Sequence, residues 1–169
     1  MYRNIFRKID YKKYLIGSAL WGVGDFVSQK ITKNNNESID YKRVSRSAFY
    51  GGCIYTPIAN RWYTVLEKLI PGNTKIILGK KLILDQTLWC SFILSLTYAS
   101  FALLEGNSLT VAKNRICKEV PSSMLANWCV WVPTQALNFK YIQPHNRVYL
   151  VNLVTVPWSG YLAWKNSKS

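Results

Sequence analysis

The sequence contains several long segments without a charged side chain, and two of them constrain the fold most. One lies between Arg147 and Lys165, and the other runs from the residue after Asp85 to Leu104. A helix that crosses a bilayer needs roughly 17–25 predominantly apolar residues, and both segments come close to or meet that length. Strand-like alternation of polar and apolar residues is absent over any useful length. The sequence therefore predicts helices that have lipid as their solvent.

The polar side chains of the C-terminal third recur at helical spacing. One helical face would hold two indoles and two carboxamides, from Trp128, Trp131, Gln135 and Asn138. A second face would hold Arg147, Val151, Val154, Trp158 and Tyr161, and Trp158, Tyr161 and Trp164 would form an interfacial aromatic belt. The residues around these faces are mostly apolar. This arrangement, with polar groups inward and apolar groups outward, reverses the pattern of a soluble amphipathic helix.

The apolar residues form five blocks, at 14–31, 47–70, 82–104, 122–141 and 147–164. An amphipathic segment at 107–120 predicts a helix that lies on the membrane surface and ends at Pro121. The predicted fold is an all-α, polytopic integral membrane helical bundle. It forms a single membrane domain over 1–169, with about four spanning helices plus the surface helix.

The charge balance restricts the partners. The chain has 22 Lys and Arg residues against 8 Asp and Glu residues, a net charge of +14. Nucleic acid, anionic lipid and anionic metabolites all fit such a charge. A nucleic-acid-binding domain of this size would rarely carry several apolar blocks, so nucleic acid is disfavoured. The basic segment 1–13 fits either a mitochondrial address or the cationic flank of the first membrane helix.

Ionisable groups inside the apolar blocks are candidate functional residues, because they are costly in lipid unless paired or hydrated. Asp25 would either serve function or pair with a basic residue on another helix. Arg61 would either pair with an intramembrane acid or extend to the interface. Asp85 would either line a pore or pair with Lys81. The candidate pore-lining or buried polar residues are Asp25, Gln29, Arg61, Trp62, Asp85, Gln86, Trp131, Gln135, Asn138, Arg147 and Trp158.

No catalytic or metal-binding pattern is visible. The four cysteines include no CxxC pair, and His145 is the only histidine. The sequence contains neither a nucleophile elbow nor a phosphate-binding glycine-rich loop. We expect no enzymatic activity, no cofactor and no metal. The polar groups would either line a conduit for small solutes or only join the helices by hydrogen bonds.

Four motifs are similar to those of the Mpv-seventeen / peroxisomal-membrane-protein-twenty-two family. They are Gly24-Asp25 with Ser28-Gln29; Pro57 with Trp62-Tyr63, Leu66 and Pro71-Gly72; Asp85-Gln86; and a C-terminal set of Trp131, Gln135, Asn138, Phe139, Arg147, Trp158, Tyr161, Leu162 and Trp164-Lys165. The chain departs from the family pattern at Val132 and Gln143, where prolines usually stand; here they come one position later.

The resemblance implies a small integral protein of the mitochondrial inner membrane or, alternatively, of the peroxisomal membrane. It also implies four spans and a weakly selective channel that supports mitochondrial homeostasis. Together with the charge, this leads us to expect a channel-like protein for small solutes, anionic ones in preference. Its expected partners are the lipid bilayer, small-molecule metabolites and further copies of itself. The alternative is a non-transporting scaffold or assembly factor for a mitochondrial or peroxisomal complex.

Overall fold

The computed structural model describes residues 11–33 and 37–166, which form five helical rods. The first rod is α1 (Tyr11–Thr32), the fourth is α6 (Leu109–Tyr141), and the fifth is α7 (Arg147–Asn166), which follows a short 3-10 turn (Pro144–Asn146). The second rod consists of α2 (Tyr41–Phe49), a π-helical segment (Tyr50–Tyr55) and α3 (Thr56–Leu69). The third rod consists of α4 (Lys75–Leu84), a second π-helical segment (Asp85–Trp89) and α5 (Cys90–Leu104). No strand occurs within these ranges, so the all-α prediction is confirmed.

Three of the helices begin at a residue that caps the backbone. Asp40, Thr74 and Ser108 each accept a hydrogen bond from the backbone N–H three positions later, at the starts of α2, α4 and α6. Such caps satisfy N–H groups that have no partner within the helix. At the first of them, the backbone N–H of Arg43 lowers the pKa of the Asp40 carboxyl below its ordinary value of 3.8.

The first two rods approach each other closely where α1 crosses the first π-helical segment. A Cβ atom added at Gly52 would lie 2.8 Å from the backbone oxygen of Tyr14 and would also collide with the side chain of Ser18. Only glycine permits this approach. On its other side α1 packs along α7, while α5 packs along α6.

Buried polar groups and exposed apolar groups occur on the same helices. Gln29, Asp85 and Asn138 are fully buried, whereas Ile83 and Leu153 are exposed. The predicted inward position is therefore confirmed at Asn138, whereas Trp128, which was assigned to the same face, is 38% exposed. Among the described residues, one helix is long and apolar enough to cross a membrane by length and composition, the 30-residue rod Lys75–Leu104.

The sequence predicted that a surface helix ends at Pro121, and this boundary is wrong. Helix α6 continues through both Pro121 and Pro133. A proline removes one backbone N–H and so leaves carbonyl groups of the preceding turn short of a donor. The carbonyls that lose this donor are those of Cys117 and Cys129, whereas the nearby hydroxyls of Ser122 and Thr134 donate to other carbonyls, those of Glu119 (3.0 Å) and Val130 (2.8 Å). The segments 107–120 and 122–141 thus belong largely to one helix.

Several predictions concern parts of the chain outside the described residues. These parts are the basic residues at 1–10, the centre of the polar loop at 34–36 and the tail at 167–169. The side chains of Tyr161, Leu162, Trp164 and Lys165 also lie outside the description, so the aromatic belt is tested only at Trp158, which is buried.

Candidate functional site

A cavity of about 440 Å³ lies inside the bundle, and all five rods contribute to its lining. From the first rod to the fifth, the lining residues include Asp25, Tyr63, Asp85, Gln135 and Thr155, one from each rod. The volume falls within the roughly 300–1,000 Å³ that is usual for small-molecule sites. The lining combines aromatic rings with polar groups, as expected of a site that binds or passes small solutes.

The partly exposed end of the cavity carries two ion pairs, and we call these four residues the mouth. Arg43 Nε lies 2.8 Å from Asp25 Oδ1, and Arg115 Nη1 lies 2.7 Å from Glu105 Oε2. The Arg43 side chain is 45% exposed and that of Arg115 39%. Asp25 also accepts a hydrogen bond of 2.8 Å from Gln29 Nε2. Each acid at the mouth therefore has a cationic partner.

The deep part of the cavity, which we call the floor, consists of Tyr63, Asp85, Gln86 and Gln135. Asp85 and Gln86 are neighbours in the second π-helical segment, and both are buried there. Such π-helical turns occur often at functional sites. Asp85 Oδ1 accepts from the indole N–H of Trp62 (2.8 Å), and Asp85 Oδ2 accepts from Gln86 Nε2 (2.8 Å).

Three charged residues that do not line the cavity form what we call the closed end. Glu67 Oε2 accepts from Lys81 Nζ and from Arg147 Nη1, both at 2.8 Å. The side chains of Lys81 and Arg147 are 1% and 3% exposed. Lys81 also donates to the backbone oxygen of Gly72 (2.7 Å). This cluster joins α3, α4 and α7.

A chain of amide hydrogen bonds connects the floor to the closed end. Gln135 Nε2 donates to the hydroxyl of Tyr63, and Asn138 Nδ2 donates to Gln135 Oε1, both at 2.8 Å. Asn138 Nδ2 also lies 3.4 Å from the backbone oxygen of Arg147. Tyr63 and Asn138 are fully buried. Most polar groups of this region thus bond to one another, whereas Asn138 Oδ1 has no hydrogen-bond partner among the described residues.

The structure divides the predicted site residues into three groups. Those that line the cavity are Asp25, Asp85, Gln86, Trp131, Gln135 and Trp158. Those that are buried outside the lining are Gln29, Asn138 and Arg147, and Trp62 is half-buried beside Asp85. Arg61 is exposed and makes no ion pair within the described residues, so its predicted burial is wrong. Whether any of them contacts a solute stays a prediction.

The sequence left the partners of two acids open. Asp25 pairs with Arg43 at the start of α2 rather than with Arg61. Lys81, the proposed partner of Asp85, instead pairs with Glu67. Sequence reasoning missed Glu67, although it is the only acid in the apolar block 47–70, and a lone acid in such a block is a signal for a buried partner.

Cys90 is a cavity-lining residue that the sequence did not single out. It is 3% exposed and accepts a hydrogen bond of 2.9 Å from Asn127 Nδ2. Cys53, Cys117 and Cys129 are exposed, and no disulfide joins the four. Within residues 11–33 and 37–166, no three His, Cys, Asp or Glu side chains are grouped so as to hold a metal ion.

The chain is similar to known mitochondrial proteins over most of its length. Residues 102–163 match the model of the Mpv17 / PMP22 family. Protein SYM1 of Saccharomyces cerevisiae is 33% identical over 161 residues, which cover 91% of this chain and 82% of that protein. Mitochondrial inner membrane protein Mpv17 of Danio rerio is 32% identical over 175 residues, 99% and 96% of the two chains. The mouse protein of that name is 30% identical over 152 residues, 89% and 86% of the two chains. No solved structure matches.

Proposed function

This chain belongs to the Mpv17 / PMP22 family and is a mitochondrial inner-membrane protein, and from this premise we propose that its bundle provides a path for small solutes. The observation that carries the proposal is the cavity of about 440 Å³ between the rods. Polar and ionisable groups in membrane helices usually face the bundle interior or a water-filled path. The mouth and the floor supply such groups to the cavity. The solute would enter at the mouth and pass the floor.

Which charge of solute the path favours depends on the charged side chains that a solute would contact inside the cavity. The net charge of +14 favours anions near the protein surface, as the sequence led us to expect. Exposed charges are largely screened beyond about 8 Å at physiological ionic strength. The lining carries three carboxylates, of Asp25, Asp85 and Glu105, against two guanidinium groups, of Arg43 and Arg115. We give the lining the greater weight and do not propose a preference for anions.

The closed end would act as the gate of this path. Glu67, Lys81 and Arg147 do not line the cavity, and both cations are almost fully buried. A solute could pass only if this cluster rearranged. We therefore propose that the described conformation is a closed one.

We also propose about four membrane crossings. The rod Lys75–Leu104 is the clearest of them. With five rods in the bundle, α1, which carries Asp25 among its buried residues, would cross incompletely or at a tilt. Four crossings place residues before α1 and after α7 on the same side of the membrane, and five place them on opposite sides. Accessibility of a tag at each end to a protease added to mitoplasts distinguishes the two.

The alternative function is a non-transporting scaffold or assembly factor of the inner membrane. The closed end favours it, because a permanently locked cluster of buried ion pairs would join α3, α4 and α7 without any solute path. In that case the cavity would hold lipid or water and would carry no flux. In neither role do we propose a catalysed reaction.

The buried thiol of Cys90 provides a direct test of the path. A variant with Cys53, Cys117 and Cys129 changed to serine leaves Cys90 as the only cysteine. We expect discrete openings from this variant in a planar bilayer. We expect its current to fall when a thiosulfonate reagent modifies Cys90, because the added group occupies the cavity. Mass spectrometry confirms which thiol has reacted.

A variant that keeps only Cys129 is the matched control. Cys129 is exposed on α6, and Cys90 lines the cavity, so modification of Cys129 should leave the current unchanged. A conducting protein whose current is insensitive to modification at Cys90 would place the path elsewhere. A silent bilayer, from protein shown to be folded and inserted, would favour the scaffold.

A further inference from the structure

The floor of the cavity presents more hydrogen-bond acceptors than the protein itself satisfies. The two carboxylate oxygens of Asp85 accept from Trp62 and Gln86, and the Gln135 amide also interacts with that carboxyl, whereas two such oxygens can accept about four hydrogen bonds. The carbonyl oxygen Oε1 of Gln86 is buried and has no hydrogen-bond partner among the described residues. Gln86 is 7% exposed and lines the cavity beside Asp85. A ligand that fits the floor must therefore bring donors.

The floor also lacks a counter-charge at contact distance, because Arg147 is paired with Glu67 and acts on Asp85 only from farther away. The groups that donate to Asp85 are neutral: the indole of Trp62 and the amides of Gln86 and Gln135. Within residues 11–33 and 37–158, no lysine or arginine lies within ion-pair distance of Asp85, and Lys81 is held by Glu67. At the mouth, by contrast, each acid has an arginine. A buried carboxylate without a counter-charge is strongly unfavourable, and a bound cation would compensate it.

The walls above Asp85 are aromatic. Tyr55, Trp89 and Trp131 line the cavity and are all buried. The ring of Trp89 stacks on that of Trp62, with centroids 5.0 Å apart and planes inclined by 6°, which holds the indole in place. The faces of such rings attract organic cations. They do not supply the six or so oxygen ligands that calcium or magnesium requires.

We infer that the floor is a binding site for a small organic cation with N–H donors, such as a primary ammonium group. Its N–H groups would bond to Asp85 and to Gln86 Oε1, and its carbon skeleton would lie against Trp89 and Trp131. This inference rests on the proposed function in one respect, because the floor lies on the proposed path. It assigns that path a cationic ligand class.

Three ligands of nearly equal shape test the inference on the unaltered protein. They are benzylammonium, benzyl alcohol and benzoate, and their binding is measured by titration calorimetry with the protein in phosphatidylcholine nanodiscs. We expect benzylammonium to bind about tenfold or more tightly than benzyl alcohol, as suits a hydrogen bond to a charged group, and benzoate to bind least. Equal affinity for the ammonium and the alcohol would overturn the inference. This comparison needs no substituted protein.

Substitutions then locate the site. Asp85→Asn should weaken benzylammonium binding about tenfold or more and leave benzyl alcohol binding unchanged. Asp40→Asn is the matched control, since Asp40 caps α2 outside the cavity and asparagine caps equally well. Gln86→Leu should weaken binding by a smaller factor. Unchanged affinity in a folded Asp85→Asn protein would refute the assignment to the floor.

Conductance separates this inference from the proposed function. A protein that conducts but binds the ammonium and the alcohol equally would keep the path and reject the site. A protein that binds benzylammonium through Asp85 but never conducts would keep the site and reject the path.

Discussion

The mouth and the closed end use the same ion-pair chemistry at nearly the same distances, but they differ in how deeply their cations are buried. The pairs at the mouth measure 2.8 and 2.7 Å, and both pairs at the closed end measure 2.8 Å. Arg43 and Arg115 are 45% and 39% exposed, whereas Lys81 and Arg147 are 1% and 3% exposed. Distance alone therefore does not tell how much a pair contributes to the fold.

Burial changes the consequence of losing one partner. Exposed pairs typically contribute about 0.2–1 kcal/mol, because solvent screens them and ordering two long side chains is unfavourable. Removing one partner of a buried pair costs roughly 3–5 kcal/mol, since it leaves an uncompensated charge. The same chemistry can thus make one end of the cavity adjustable and the other rigid.

The two ends also differ in which rods they join. At the mouth, the Asp25–Arg43 and Glu105–Arg115 pairs join rods that already follow each other in the chain. At the closed end, Glu67 on α3 binds Arg147 on α7, 80 residues later. A contact between distant segments must overcome a larger loop-closure entropy. The closed end therefore holds together parts of the bundle that no short link connects.

The largest expected effect follows from neutralising the acid of the closed end. Glu67→Gln leaves the two cations Lys81 and Arg147 without their shared carboxylate. Because the Glu67 side chain is 29% exposed, we expect destabilisation near the lower end of the roughly 3–5 kcal/mol for a broken buried pair. The free energy of unfolding in detergent, or the level of accumulated protein, measures it.

The matched control for this change is at the mouth. Glu105→Gln removes an acid of the same type whose side chain is 35% exposed and whose partner is 39% exposed. We expect it to cost about 1 kcal/mol or less. If both substitutions lowered stability equally, burial would not distinguish the two ends, and the comparison would fail.

A second prediction tests whether the rods depend on shape as well as charge. Gly52→Ala would drive a methyl group toward the backbone oxygen of Tyr14, 2.8 Å away, and into Ser18. Because backbone cannot yield as a flexible side chain can, we expect a loss of about 1–3 kcal/mol. Thermal unfolding measures the loss.

Gly79 on α4 offers the control for Gly52. A Cβ atom there would meet nothing within 4 Å, and the position lies inside a helix. Gly79→Ala should therefore leave stability unchanged or raise it by up to about 1 kcal/mol through helix propensity. A Gly52→Ala protein as stable as the Gly79→Ala protein would show that the two rods can move apart freely.

Helical spacing predicted one part of the site well. Gln135 and Asn138 share a helical face, and both are buried as that spacing requires. The spacing within one helix does not give the register between helices, however. The partner of Asp25 depends on how α2 lies beside α1, so the sequence could not identify Arg43 as that partner. The pairing of Lys81 with Glu67, rather than with Asp85, was hidden for the same reason.

Local rules misjudged the chain where the packing of the bundle decides. Proline usually ends a helix, but α6 continues through both Pro121 and Pro133. The inward position of both Asp85 and Gln86 depends on a π-helical turn, which ideal helical spacing does not anticipate. Such features arise from the packed bundle and not from any single segment.

The smallest expected effect concerns the mouth itself, where a double-mutant cycle isolates the Asp25–Arg43 pair. Asp25→Asn and Arg43→Gln, singly and together, should give a coupling energy of about 0.2–1 kcal/mol, because the Arg43 side chain is 45% exposed. Gln29 can still donate to the side-chain oxygen at position 25, so asparagine retains that hydrogen bond and the cycle reports the ion pair with Arg43, including its own hydrogen bond. Chemical unfolding of the four proteins gives the coupling. A coupling energy of several kcal/mol, near the cost expected at the closed end, would mean that the mouth is as rigid as the closed end, and a solute could then enter the cavity only by a route that avoids this pair.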